Sequence, residues 1–145
     1  MTELAATNPT ERAHALIKLT SRLTELLNQE TELFEARTPH KAVDLQTEKT
    51  KLATLYRTET QLAGKDRKRL SGLAPDLKAA LKASTQTFEA ALERNGIAVE
   101  ALKVLTEGLV KAIADEAARQ QQSQAGYGPG TKPTTVSALA YNQTA

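Results

Sequence analysis

Three glutamates, Glu30, Glu32 and Glu35, lie close together in the sequence, and paired carboxylates at such spacing can divide general acid and base duty between them. Neither a companion histidine nor a pocket-forming segment accompanies them, so a solvated helix edge with one ion-paired member is expected instead. The two histidines, His14 and His40, are isolated near helix starts, with no Cys, His or carboxylate at metal-ligand spacing. Cysteine is absent, which removes thiol chemistry and disulfides. The run Lys65-Asp66-Arg67-Lys68-Arg69 has the charge for a polyanion, but it is short and lacks interleaved aromatics for base stacking, and the net charge of the chain is only +2. The residue types thus favour a binding protein over an enzyme, with no cofactor and no metal expected.

The element that organises the chain is the stretch from about Pro75 to Gln122, read as one α-helix roughly 70 Å long. Its apolar seam is Leu77, Leu81, Phe88, Leu92, Val99, Leu102, Leu105, Leu109 and Ile113, with Ala80, Ala91, Ala98 and Ala112 beside it. Asn95-Gly96 is a turn signal inside this stretch. The seam keeps its phase across the dipeptide, however, so continuity is expected, with Asn95 as a polar seam residue that fixes register. Beyond Asn95 the apolar positions spread to more than half the circumference through Ile97, Ala101, Val104 and Gly108. A helix packed on one neighbour needs only a stripe. The wider arc either is buried on two sides or awaits a partner. Its candidate partner-binding residues are Ile97, Ala101, Leu102, Val104, Leu105, Leu109 and Ile113.

Two shorter helices must position this one. Asn8-Pro9-Thr10-Glu11 reads as a cap, a first-turn proline and a capping box, starting a helix that runs to about Ala36. Its seam is Leu16, Leu19, Leu23, Leu26 and Leu33, with Glu30 among the leucines. Thr38-Pro39 reads as the start of a second helix to about Ala63, closed by Gly64 as a left-handed cap. The short link makes the two an antiparallel hairpin. Lys49 then falls between Leu45 and Leu52 at the depth of Glu30 and is expected to pair with it. Aromatics at 3% and sparse Val and Ile favour helix over sheet. The expected fold is all-α, an antiparallel hairpin packed on a long C-terminal helix in an elongated three-helix, coiled-coil-like bundle over residues 1–122. Residues 123–145, rich in Gly and Pro at Ala125–Gly130, read as a flexible tail in which Tyr127 is a candidate aromatic anchor. With no secretory pattern at the start and no apolar run approaching ~20 residues, a cytoplasmic protein that does not insert in membranes is expected.

These residues carry a likeness. Leu23–Phe34, with Leu26, Leu27, Glu30 and Leu33, followed by Leu45, Lys49, Leu52 and Leu55, then Glu93-Arg94-Asn95 and finally Tyr127-Gly128-Pro129-Gly130, resemble the FlgN-type flagellar export chaperones over nearly the full length. The resemblance implies a cytoplasmic chaperone that binds the C-terminal helical region of hook-associated proteins, the hook–filament junction subunits, through its own C-terminal helix. It would keep them from assembling early and pass them to the flagellar type III export apparatus. The rival reading is a self-associating coiled-coil structural or adaptor protein, with the extra arc closing a homodimer. A granule-coating amphipathic helix would need a basic polar face, whereas Glu89, Glu93, Glu100 and Glu107 occupy that side.

Overall fold

The first helix begins as its sequence predicts. In a computed structural model that describes residues 4–125, Asn8 is extended and its side-chain oxygen accepts from the Glu11 N–H at 2.8 Å. The returning half of the capping box is displaced by one residue: the Glu11 carboxylate accepts from the backbone N–H of Thr7, at 2.9 Å, and from its hydroxyl. Helix α1 runs Pro9–Glu35, α2 runs Gln46–Lys65 and α3 runs Pro75–Ala125, with 3-10 turns at Pro39–Leu45 and Arg67–Leu70 and no strand among the described residues. The fold is all-α. The chain divides into two units, Met1–Val99 and Glu100–Ala145, and the division falls inside α3.

In the first unit α1 and α2 are antiparallel, as ion pairs at the two ends show. Arg12 meets Glu59 at one end, while Arg22 meets Glu48 and Lys49 meets Glu30 toward the other. The first part of α3 lies parallel to α1. Phe88 and Ala91 pack with Leu23 and Leu27, and Leu52, Ala53 and Tyr56 of α2 close the cluster. The Tyr56 and Phe88 rings are tilted, with centroids 4.8 Å apart. Thr20, Thr24 and Thr31 are buried on α1 because each hydroxyl donates to the carbonyl four residues back, leaving no orphan polar group.

Four local expectations are corrected. Thr38 does not cap α2. Its hydroxyl donates to the Leu33 carbonyl, and α1 ends in a Schellman turn with Arg37 at φ 62°. Residues from Pro39 wind as a 3-10 turn rather than an α-helix. His40, Val43 and Asp44 are weak helix formers, and the turn buries Ala42. Gly64 stays helical, and α2 ends at Asp66, which turns extended so that its side chain can cap the next 3-10 turn through the Lys68 N–H. The left-handed glycine is Gly72, at φ 70°, just before α3.

The fourth correction is the seam of α3. Its buried residues in the first unit are Phe88, Ala91, Asn95 and Ala98, continuing half-buried Leu77, Leu81 and Ser84. Those gaps alternate four and three, the period of a coiled-coil seam. Leu92 and Val99 stand one residue off this register, so they are exposed despite their size. Helix α3 runs unbroken through Asn95-Gly96 and on to Ala125 rather than stopping near Gln122. The tail with Tyr127 lies outside the described residues.

Candidate partner-docking surface

Two features carry chemistry that a partner could read: a buried polar node in the first unit and an open apolar face in the second. The node is built on Glu30. It is 2% exposed, and its carboxylate accepts from Lys49 Nζ at 2.6 Å, Gln46 Nε2 at 2.5 Å and Asn95 Nδ2 at 3.0 Å. The same Asn95 amide reaches the Thr31 hydroxyl at 3.1 Å. Burial pushes the Glu30 carboxyl up, but the hydrogen bonds from Lys49, Gln46 and Asn95 outweigh it and hold the group below its ordinary range. Slipping α3 by one turn would strip Glu30 of Asn95, so the node sets the register of the long helix on the hairpin. The expected pairing of Lys49 with Glu30 is present, and Asn95 occupies the seam position its spacing assigned. Glu35 lies outside the node and takes an exposed pair with Arg94.

A second buried carboxylate, Glu59, was not anticipated. It accepts from Arg12 and Arg69, each at 3.3 Å, and from the Leu4 N–H at 2.8 Å, and so ties α1, the second 3-10 turn and the residues before α1 to α2. The signal was there: Glu59 continues the three-and-four spacing of Lys49, Leu52 and Tyr56 on the inward face of α2. Both carboxylates are engaged by the donors named here. A cleft of about 220 Å³ lined by Ser21, Thr24, Ser84 and Thr87 holds hydroxyls alone and is smaller than common ligand pockets.

The second unit presents the apolar face. On α3 from Glu100 onward, Ala101, Val104, Leu105, Leu109 and Ile113 are exposed, and Leu102 is half-buried. Ile97, the remaining candidate on this helix, belongs to the first unit and is exposed as well. Ile97, Val104, Leu105, Leu109 and Ile113 are 52–67% exposed. At about 100° per residue, the residues of the second unit cover roughly half the helix, with Gly108 and Ala112 along the middle. On the opposite side of this stretch Ala114 is buried and Val110, Ala117 and Ala118 are half-buried. The open arc is therefore a different side of the helix from the one that is shielded. Contiguous apolar exposure of this kind marks interaction surfaces. Tyr127, the last candidate, lies outside the described residues.

With this geometry in hand, the comparison with known proteins is direct. The chain is 38% identical, over 147 aligned positions, to the flagellar basal-body protein FlbY of Caulobacter vibrioides, a match that covers 98% of this chain and 99% of the relative. The chain belongs to the FlbY family. No family model and no solved structure matches it. End-to-end coverage means that the FlbY relative aligns with both units, including the exposed face of α3. Among the described residues of this FlbY-family chain, no helix is long and apolar enough to cross a membrane.

Proposed function

We propose that this protein works in flagellar assembly as an export chaperone of the FlgN type. It binds the C-terminal helical segments of hook-associated proteins in the cytoplasm and holds them unassembled until the type III export apparatus takes them. The observation that carries the reading is the open apolar face of α3 from Ala101 to Ile113. A flagellar relative aligned over almost the whole chain supports the setting. The mechanism is helix against helix. An amphipathic segment of the client lays its apolar stripe on Val104, Leu105 and Leu109, and the loss of that stripe from water blocks its use in polymerisation. Burying each large side chain contributes roughly 1.5–3 kcal/mol before the cost of ordering the client. The hairpin and its polar node hold the proximal part of α3 in a fixed register, which lets the distal part be spent on binding. No nucleotide chemistry enters this step.

The test is co-purification of hook-associated proteins with the full chain and with Val104→Asp or Leu109→Asp. Both substitutions sit on exposed positions and leave the helix intact, so far-ultraviolet circular dichroism should be unchanged while client capture falls at least tenfold. Undiminished capture by both folded variants would sink the site assignment.

A further inference from the structure

We propose that the residues just before α1 are a strap that locks the connection between α2 and α3, and that lifting the strap turns the connection into a hinge. The lock lies wholly in the first unit and does not rest on the chaperone reading. Leu4 to Asn8 are neither helix nor strand, yet they are tied down. The Leu4 N–H donates to Glu59 Oε1 at 2.8 Å, the Ala6 carbonyl accepts from Arg12 at 3.4 Å, and Thr7 donates to the Glu11 carboxylate. Leu4 and Ala6 are half-buried.

The connection depends on the same carboxylate. Its regular piece is the 3-10 turn Arg67–Leu70, which is too short to persist unaided. The turn's own backbone bonds are long, from the Arg69 N–H to the Asp66 carbonyl at 3.2 Å and from the Ser71 N–H to the Lys68 carbonyl at 3.3 Å. Its polar fastening to the hairpin is Arg69, which donates to Glu59 Oε2 at 3.3 Å and shares that oxygen with Arg12. That fastening is weak. The distance exceeds the roughly 2.7–2.9 Å of a good charge-assisted bond. The Arg69 Nε is also buried with no hydrogen-bond partner among the described residues, which favours release wherever water can reach it. Glu59 keeps hold of Arg69 because its own side chain is fully buried, where the attraction between charges is strong. Leu4 supplies the one donor to Oε1 among the described residues. With the strap lifted, water takes that place, the carboxylate is hydrated and its pull on Arg69 falls. Arg69 then leaves, and the chain bends near Gly72, which already holds φ 70°.

Trypsin reads the lock on the full chain, because a protease needs locally opened backbone and Arg67 is exposed within the turn. Leu4→Pro removes the N–H and keeps an apolar side chain, whereas Leu4→Ala keeps the N–H. Cleavage after Arg67 should be about tenfold faster in Leu4→Pro and within about twofold of the native chain in Leu4→Ala. Arg69→Gln undoes the fastening itself and should match Leu4→Pro. The double variant should be no faster than either, since both changes act through one contact. Cleavage after Lys51, exposed on α2, should not change, which separates a local hinge from general loosening. Unchanged cleavage after Arg67 in Leu4→Pro, an equal rise in Leu4→Ala, effects that multiply in the double variant, or a parallel rise at Lys51 would each overturn the proposal.

Discussion

Replacing Lys49 with leucine strikes the node that sets the register of α3. Glu30 would keep Gln46 and Asn95 as donors but lose the one cation that reaches it among the described residues. Removing one partner of a buried ion pair costs about 3–5 kcal/mol. Water reaches the Lys49 side chain, which is 23% exposed, and the new leucine gains some burial, so the expected loss at pH 7 is about 2–3 kcal/mol. The effect has a pH signature. In the native chain the Glu30 carboxyl sits below its usual range. Such a group contributes stability that is present above its unfolded pKa, about 4.3, and is lost as pH falls through the lower folded value. Without Lys49, burial is opposed by neutral amides alone, and the folded pKa rises. The variant then loses less on acidification, so its deficit is widest at pH 7 and narrows by about pH 4. Urea unfolding followed at 222 nm at both pH values reads this directly. A deficit under about 0.5 kcal/mol at pH 7, or one that stays constant with pH, would refute the claim that the pair is a buried, coupled determinant of the fold.

Arg37 holds a left-handed conformation at the end of α1 that favours glycine. Arg37→Gly should therefore raise stability by about 0.5–1 kcal/mol, read as a higher urea midpoint; a lower midpoint would mean the turn is not strained. Gly96 lies inside α3, with open space where a Cβ would stand. Gly96→Ala should stabilise by about 1 kcal/mol, and a loss would show that the helix breaks there in solution.

What the sequence made legible follows from which forces are local. Helix caps depend on a few neighbours, so Asn8 and Pro9 announced α1 correctly, although the carboxylate of Glu11 found Thr7 instead of the cap residue. Polar residues on an apolar seam were equally readable, since Glu30, Lys49 and Asn95 sit where only a mutual pairing makes burial tolerable. The register of α3 was misread because size was given more weight than period. Leu92 and Val99 looked like core, while the alanines one step away are what the hairpin accepts at close approach. Thr38 and Gly64 were misassigned for a related reason. Each has a sequence signature for one role, but the Thr38 hydroxyl is drawn into the turn that closes α1 at Arg37, and α2 closes at Asp66 instead of Gly64. Glu59 was missed because its partners come from residues before α1 and from the turn after α2, contacts set by the tertiary fold. The candidate face was legible as an excess of apolar residues around one helix. Its exposure was not, because a helix's own sequence does not say which of its apolar sides is shielded.

Amide hydrogen exchange on the full chain, alone at low concentration and with a hook-associated protein added, tests the docking surface most directly. The account predicts that added protection concentrates between residues 101 and 113 of α3, while amides of α1 and α2 change little. Protection confined to the hairpin, with 101–113 exchanging as fast as before, would contradict it.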